Sequence, residues 1–301
     1  MDSENKPTPV DLFFTSYEPS DKLKNTESKP PIIFIHGLLA TPNCWHKVKS
    51  RIADSTGRKV YAIGMRNHGS NGWSDEFTVE HLVADLDHFM AKQNIPKAIL
   101  VAHSLGGRAA IRFTLLKPEM VEKLIIVDMT ISVDEEQYEE TQQFRSILIM
   151  AKNSLEEIPP SFSEAAAQKK LQQLFSLAWC KKSENKTSRP PKIPLPFHKD
   201  KSNKFVWDFN IDAVINSLAS AHNFQTDLSE DSVYLVEALF ISGEYSTIPI
   251  LKDKDVIQKR FPNSKIVVAK DVYHNYHLEK PDEFVNEIIQ FIGRKNIISV
   301  L

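Results

Sequence analysis

Short apolar segments rich in β-branched residues alternate with segments of helical periodicity over the first 130 residues of the chain. The apolar segments have the composition of strands buried on both faces, and the segments between them place hydrophobic residues at helical spacing. The predicted strands are 31–36, 58–65, 98–102 and 123–128, and the predicted helices are 43–55, 78–93 and 105–116. This order is typical of βαβ units that form a parallel sheet with helices on both faces.

The alternation breaks after the fourth strand and resumes near residue 236. Residues 130–230 are mostly helical in character and include a loop, 181–204, with eight Lys and Arg residues. A loop of this kind is typically solvated, and the alternative is contact with an anionic membrane or partner. The sheet pattern then continues with strand 236–242, helix 251–260, strand 265–269 and helix 282–292.

One α/β domain with a helical insertion accounts for this pattern. We predict an α/β core formed by residues 31–129 and 231–301, and we expect residues 130–230 to form a helical lid. Open sheets place their ligands at the carboxyl ends of the strands, which this insertion would cover. Residues 1–30 are the N-terminal segment, in which 8–17 is a candidate edge strand.

A motif for nucleophilic catalysis lies at residues 102–107, AHSLGG, between a predicted buried strand and a predicted helix. This is the context of a nucleophile turn of the G-x-S-x-G type. A serine on so sharp a turn has strained dihedral angles, and only small residues such as Ala102 and Gly106 fit two positions before and after it. We predict Ser104 as the nucleophile. The alternative is a serine that caps the helix.

A second motif, His36-Gly37-Leu38-Leu39, follows the first buried strand. In this arrangement the backbone N–H groups of Leu38 and Leu105 are the predicted donors to an oxyanion. His36 is predicted to hold the loop rather than to transfer a proton. The alternative is a simple turn that ends the strand.

A serine hydroxyl needs a base within hydrogen-bond reach, and histidine is the natural base near neutral pH. The loop after the last predicted strand returns to the carboxyl edge of the sheet and contains His274 and His277. We predict His274 as the base. His277 is the alternative base and a candidate accessory residue.

A buried carboxylate is needed to fix the tautomer of the base and to stabilise its charged form. Such an acid usually follows the strand that ends near 242, where this sequence has Ser246. Asp128 ends the preceding apolar strand, and an acid is costly to bury there without a partner. We therefore predict Asp128 as the acid, Glu244 as the alternative acid and Ser246 as a candidate accessory residue.

These motifs resemble the α/β-hydrolase superfamily, and within it the abhydrolase-domain esterases and the yeast ethanol acetyltransferases. The resemblance is carried by IIFIHGLL (32–39), RIADSTGRKVYAIGMRNHG (51–69), AHSLGGRAA (102–110), LIIVDMT (124–130), FVWDFNIDA (205–213) and HNYHLEKPDEF (274–284). It implies an α/β-hydrolase fold with a helical lid insertion, and it supports Asp128 as the acid with serine at position 246. The chain departs from this branch at Gly64 and Ser70, where many relatives have acids, and at Ala102, where the usual residue is glycine.

Composition and charge narrow the classes of function. The chain has 301 residues, a net charge of −2 and two cysteines, Cys44 and Cys180. No basic excess indicates a nucleic-acid partner and no Cys and His spacing indicates a zinc site, so we expect no nucleic acid, no metal and no organic cofactor. No apolar run is long enough to predict a transmembrane segment. The N-terminal residues resemble neither a signal peptide nor a presequence, which predicts a cytoplasmic protein, or a mitochondrial one whose presequence is absent from this chain.

The combined expectation is a serine acyl enzyme that acts on esters or thioesters through an acyl-serine intermediate. Water as the acceptor gives a carboxylesterase or thioesterase. Ethanol as the acceptor gives an alcohol acetyltransferase that makes ethyl acetate from acetyl-CoA. The expected partners are small molecules, namely an ester, an acyl-CoA or an alcohol. The alternative function is a non-catalytic hydrolase-fold binding module.

Overall fold

The structure is a computed structural model and describes residues 7–20, 29–132, 135–179, 194–225 and 233–293. The β-strands are β1 (Phe14–Tyr17), β2 (Ile32–Ile35), β3 (Val60–Ile63), β4 (Ala98–His103), β5 (Val121–Val127), β6 (Phe197–Lys199), β7 (Phe205–Trp207), β8 (Ala238–Gly243) and β9 (Ser264–Ala269). The α-helices are α1 (Lys49–Thr56), α2 (Val79–Lys92), α3 (Leu105–Leu116), α4 (Glu135–Glu156), α5 (Glu164–Trp179), α6 (Ile211–Ser217), α7 (Lys254–Arg260), α8 (Tyr276–Glu279) and α9 (Pro281–Gly293). Most of the predicted basic loop, residues 181–193, lies outside the described residues.

Seven of the described strands form one sheet in the order β1-β3-β2-β4-β5-β8-β9. β1 pairs with β3 in the antiparallel direction, and the other pairs of this sheet are parallel. Both faces of β2 and β4 are covered, since every residue in these strands is at most 4% exposed. This burial explains why both strands are unbroken apolar runs in the sequence. The predicted fold class, a mostly parallel sheet flanked by helices, is confirmed.

Helices cover both faces of the sheet. α2 and α3 pack on one face, where Leu86 and Ile111 are buried. α1 and α9 pack on the other face, where Ile52 and Phe284 are buried. The sheet is therefore the central layer of an α/β/α structure. Within the described ranges, every helix is too short or too polar to cross a lipid bilayer.

The structure differs from the prediction of a single helix at 43–55. A 3₁₀ turn, Pro42–Trp45, comes first, and α1 begins only at Lys49. Proline suits the first position of the turn because its φ is fixed and it needs no N–H partner there. Trp45 is fully buried. The chain therefore makes two short helical elements where the sequence pattern predicts one.

The chain between β5 and β8 contains α4, α5 and α6, in agreement with its helical character. It also contains an antiparallel pair, β6 with β7, that was not predicted. Each of these strands has three residues, which is too short for a recognisable alternation of polar and apolar positions.

The predicted site residues all follow strands of the main sheet. Leu38 follows β2, Ser104 follows β4, Asp128 follows β5, Ser246 follows β8 and His274 follows β9. Because these strands are parallel, the loops after them meet at one edge of the sheet.

Candidate active site

Ser104 lies at the junction of β4 and α3, with a φ of 53° and a ψ of −126°. A positive φ is uncommon for a residue with a side chain and persists only where the surrounding structure enforces it. Ser104 is the N-cap residue of α3, but its side chain makes no capping hydrogen bond, so the alternative of a helix-capping serine is not supported. Its hydroxyl forms no hydrogen bond with another described residue. The hydrogen bond expected between the Ser104 hydroxyl and His274 is therefore not formed in this structure. Such catalytic hydrogen bonds often tighten only when substrate binds.

Close packing of α3 against β2 explains the small residues of the motif. A Cβ atom on Gly106 would lie 2.4 Å from the carbonyl oxygen of His36, which is closer than side-chain carbons approach backbone oxygens. Ala102 is fully buried in β4, where it pairs with Ile35 of β2. Glycine is therefore required two residues after Ser104, whereas alanine fits two residues before it.

Two buried histidines hold the loop that contains Leu38. His36 Nε2 accepts a hydrogen bond from the N–H of Met65 at 3.0 Å, and His68 Nε2 accepts one from the N–H of Leu39 at 3.2 Å. Burial lowers the pKa of His36 to about 3 and the pKa of His68 to about 4, so both rings are neutral at neutral pH. His36 thus holds the loop, as expected. His68 acts in the same way and was missed, because the sequence shows it only as part of a turn.

The predicted oxyanion donors face the same cavity as Ser104. The N–H of Leu38 has no hydrogen-bond partner among the described residues. Leu105 is the first residue of α3, and N–H groups in the first turn of a helix have no acceptor within the helix. Leu38, Ser104 and Leu105 all line one cavity. Both N–H groups are thus available to a ligand.

His274 and Asp128 are hydrogen bonded across the ends of β9 and β5. His274 Nδ1 lies 2.6 Å from Asp128 Oδ2, and Asp128 is 1% exposed. A carboxylate accepts this bond, so Nδ1 carries the proton and Nε2 is left as an acceptor. The other carboxylate oxygen, Oδ1, accepts the N–H of Gly243 at 2.9 Å. The buried acid is thereby oriented from two sides.

Ser246 and Glu244 differ in what they contact. The hydroxyl of Ser246 donates a hydrogen bond to Oδ2 of Asp128, the oxygen that His274 also binds. Glu244 is exposed and accepts hydrogen bonds from Lys270 Nζ and from the N–H of Asp271, each at 2.9 Å. The structure therefore places Ser246 beside the predicted acid and directs Glu244 elsewhere.

Two more histidines surround His274. The ring centroid of His103 lies 4.6 Å from that of His274 and 4.8 Å from that of His277, and His277 stacks on Trp45 at 4.2 Å. His103 Nε2 donates to the carbonyl oxygen of His274 at 2.9 Å. Burial, reinforced by the neighbouring imidazoles, lowers the pKa of His277 to about 3 and holds the pKa of His103 well below its usual value. Both rings are therefore neutral at neutral pH. Of the two candidate bases, His274 rather than His277 forms the hydrogen bond with Asp128.

Glu279 in α8 holds the backbone on both sides of His274. Its Oε2 accepts the N–H of Tyr273 at 2.8 Å, and its Oε1 accepts the N–H of Asn275 at 2.9 Å. Burial raises the pKa of the Glu279 carboxyl, and these two hydrogen bonds act in the opposite direction. Glu279 was not predicted from the sequence. Its only signal was an acid five residues after the predicted base.

A cavity of about 770 Å³ lies at these loops, within the size range of small-molecule sites. Its wall includes Ser104 and His274 from the core loops, and Phe144 and Phe175 from α4 and α5. The inserted helices therefore supply part of the wall. Among the residues that the structure describes, no group of three or more His, Cys, Asp and Glu side chains is arranged to hold a metal ion.

Known proteins are similar to this chain over most of its length. The sn-1-specific diacylglycerol lipase ABHD11 of Danio rerio is 26% identical over 294 residues, which cover 97% of this chain and 85% of the relative. Ethanol acetyltransferase 1 of Hanseniaspora uvarum is 24% identical over 273 residues, which cover 89% of this chain and 81% of the relative. A solved structure described as a marine microorganism esterase superposes with a TM-score of 0.72 at 26% identity, covering 94% of this chain and 99% of that one.

These relatives include both groups that the sequence motifs resemble, so the predicted branch is confirmed. The family described as alpha/beta hydrolase fold matches residues 30–281, from the residues just before β2 to the start of α9. This span contains the Ser104 turn, the His274 loop and the parallel strands that bring them together. The chain therefore belongs to the alpha/beta hydrolase fold family.

Proposed function

We propose that this protein is a serine acyl enzyme that acts on esters or thioesters. The Ser104 hydroxyl attacks the substrate carbonyl carbon while its proton passes to Nε2 of His274. The N–H groups of Leu38 and Leu105 stabilise the oxyanion of the tetrahedral intermediate. The C–O or C–S bond then breaks, the imidazolium gives its proton to the leaving alcohol or thiol, and the acyl group remains on Ser104.

A second acceptor completes the reaction. Water or an alcohol gives a proton to His274 Nε2 and attacks the acyl-serine carbonyl. The second tetrahedral intermediate collapses, the imidazolium returns the proton to Ser104 Oγ, and an acid or a new ester is released. No residue needs to change its role between the two halves of the cycle.

The hydrogen bond from His274 Nδ1–H to Asp128 carries this proposal. It selects the tautomer whose Nε2 can accept a proton, and it places a buried negative charge beside the ring that becomes cationic. The strained turn at Ser104 supports the same conclusion, because a positive φ at a residue with a side chain is a costly way to make a loop.

Helices α4 and α5 are proposed to form a lid that binds the acyl group. Phe144 and Phe175 line the cavity and contact each other edge to face, with ring centroids 6.3 Å apart. Apolar walls of this kind suit a hydrocarbon chain.

The names of two relatives support different acceptors for the acyl group, water and ethanol. One is named a diacylglycerol lipase, which supports hydrolysis of esters, and another an ethanol acetyltransferase, which supports transfer of acetyl groups to ethanol. We propose that the same triad serves both acceptors and that the ratio depends on which one reaches the acyl-serine.

Ser104→Ala tests the nucleophile, with Ser220→Ala as a matched control because Ser220 also lines the cavity. Wild type and the control are expected to react with a fluorophosphonate probe and to hydrolyse p-nitrophenyl acetate. Ser104→Ala is expected to bind no probe and to lose at least about a thousandfold in kcat. A folded wild-type protein that fails to react with the probe would instead favour the binding module.

The acceptor is tested by measuring products. Acetyl-CoA and p-nitrophenyl esters of increasing chain length are supplied with and without ethanol, and acetate and ethyl acetate are quantified. Ethyl acetate that rises with ethanol as acetate falls supports acyl transfer. Acetate alone at every ethanol concentration restricts the enzyme to hydrolysis.

A further inference from the structure

Arg108 is a buried cation in the wall of the cavity that contains Ser104. It lies four residues after Ser104 on α3, so the two Cα atoms are about 6 Å apart along one face of the helix. Its side chain is 8% exposed and lines the cavity. Among the described residues that line this cavity, it is the one Lys or Arg.

The hydrogen bonds that Arg108 makes with other described residues involve no anion. Its Nη2 donates to Thr130 Oγ1 at 3.3 Å, to the Ser132 carbonyl at 3.3 Å and to Gln137 Oε1 at 3.5 Å. All three acceptors are neutral oxygens at long distances. Nη1 is buried and has no partner in the described part of the chain.

The carboxylate that acts on Arg108 does so from a distance. Asp253 raises the pKa of Arg108, while burial lowers that pKa to about 10, so the guanidinium is still charged at neutral pH. Asp253 Oδ2 already accepts the N–H groups of Ile131 and Ser132. No carboxylate of the described residues comes within 4.0 Å of the guanidinium. A buried cation in this situation costs free energy that a bound anion would recover.

Two acidic residues line the cavity, one on α4 and one just after β7. Glu140 is half-buried on α4, and Asp208, just after β7, is paired with His198. Neither carboxylate lies within 4.0 Å of the Arg108 guanidinium. Arg108 is therefore the cationic side chain that an anion would meet in this wall, one helical turn from Ser104.

We propose that Arg108 binds a carboxylate on the substrate, so that the enzyme prefers esters with a negative charge a few bonds from the reacting carbonyl. The reaction itself rests on the proposed function. A guanidinium presents several N–H donors in a planar fork, and one carboxylate can occupy two of them. The carboxylate could belong to the acyl part or to the alcohol part of the ester.

Matched ester pairs test both positions. For the acyl part, monoethyl glutarate is compared with ethyl 5-oxohexanoate, in which a methyl ketone replaces the carboxylate. For the alcohol part, 4-acetoxybutanoate is compared with 5-acetoxypentan-2-one. The measured quantity is the ratio of kcat/KM for the carboxylate to kcat/KM for the ketone. We expect a ratio of about ten or more in one of the pairs, as a charge-assisted hydrogen bond implies. A ratio of one or less in both pairs overturns the proposal.

Variants of two arginines on α3 assign the effect to one side chain. Arg108→Gln is expected to bring the ratio to within about twofold of one, and Arg108→Lys to keep part of it because the charge remains. Arg112→Gln is the control: Arg112 pairs with Glu80 at 2.8 Å, outside the cavity wall, and the wild-type ratio should persist. A wild-type ratio that survives in Arg108→Gln overturns the proposal.

Binding to an inactive protein separates this inference from the proposed function. In Ser104→Ala, calorimetry should show tighter binding of the preferred carboxylate ester than of its ketone partner, and Ser104→Ala/Arg108→Gln should lose the difference. If wild type turns over none of the four esters, the calorimetry alone decides on Arg108, and the fluorophosphonate and p-nitrophenyl acetate assays decide on the acyl chemistry. Equal binding of carboxylate and ketone to Ser104→Ala then counts against the role of Arg108.

Discussion

The hydroxyl of Ser246 donates a hydrogen bond to Oδ2 of Asp128, the same carboxylate oxygen that accepts the hydrogen bond from His274 Nδ1–H. The sequence has Ser246 where the fold commonly has its acid, and the predicted acid, Asp128, lies one strand earlier. Ser246 therefore contacts the predicted acid instead of occupying its place.

This relationship predicts unequal losses from two substitutions. Asp128→Asn is expected to lower kcat by about 10³–10⁴-fold, because an amide favours the wrong tautomer of His274. Ser246→Ala removes one donor of several and is expected to lower kcat by about three- to tenfold. Steady-state hydrolysis of p-nitrophenyl acetate measures both.

Glu244→Gln is the control for this pair because Glu244 is exposed and bonds Lys270 and Asp271. It should retain wild-type kcat. Loss of activity in Glu244→Gln together with an active Asp128→Asn would reverse the assignment of the acid.

Glu279 is predicted to position His274 through the backbone. In Glu279→Gln, the single amide oxygen can accept from only one of the N–H groups of Tyr273 and Asn275, and the amide NH₂ group faces the other N–H group. We therefore expect kcat to fall about tenfold with little change in KM. Glu279 carries a carboxyl whose pKa is raised by burial. Protonation would have a similar effect, so the acid side of the wild-type pH profile should contain a contribution that the variant lacks.

Glu283→Gln is the matched control for this prediction, since Glu283 is an exposed acid at the start of the next helix. Its kcat and pH profile should match wild type. If Glu279→Gln has an unchanged pH profile and loses only thermal stability, Glu279 is structural and does not position the base.

Gly106→Ala is expected to destabilise the protein. The added methyl would meet the His36 carbonyl oxygen at 2.4 Å, and overpacking of this kind costs about 2–3 kcal/mol. The free energy of unfolding in urea measures the cost. Gly293→Ala has nothing within 4 Å of its new methyl group and should stay within about 1 kcal/mol of wild type. Equal stability of the two variants would contradict the packing argument.

The buried histidines predict a loss of stability in mild acid. The folded pKa values of His36 and His68, about 3 and about 4, lie below the unfolded value of about 6.5. Below pH 6.5 the unfolded chain therefore binds protons that the folded chain does not. Each such histidine lowers the free energy of unfolding by about 1.4 kcal/mol per pH unit until its folded pKa is reached.

His36→Gln tests this slope, since glutamine can still accept from Met65. The free energy of unfolding is measured in urea at pH 7, 6 and 5. Its slope with pH should correspond to about one fewer proton taken up on unfolding in the variant than in wild type. Identical slopes would mean that His36 does not resist protonation in the folded state.

The strands and the candidate triad were predictable because each has a local signature. β2 and β4 are covered on both faces and so appear as unbroken apolar runs, and Asp128 stood out as an acid at the end of another such run. The strained turn at Ser104 was predictable because its small neighbours lie in the same six residues.

The supporting residues were not predictable because their partners are distant in sequence. His68 holds the Leu39 backbone 29 residues away, and the ring of His103 reaches the carbonyl of His274 across 171 residues. Arg108 looked like an ordinary helix residue. Only the tertiary structure shows that it is buried and that no carboxylate in the described ranges lies within 4.0 Å of its guanidinium. Such roles depend on the loops that meet at the edge of the sheet. The hydrophobic periodicity of the sequence does not predict these meetings.

The loops after the central strands carry the proposed reacting groups, and the chain between β5 and β8, including α4 and α5, supplies other parts of the cavity wall. A mutation in α4 or α5 can therefore change the cavity wall without moving the loops that carry the proposed reacting groups. Two relatives that are each about one quarter identical to this chain are named a lipase and an acetyltransferase. For engineering, this separation identifies α4 and α5 as the region in which to select new substrates.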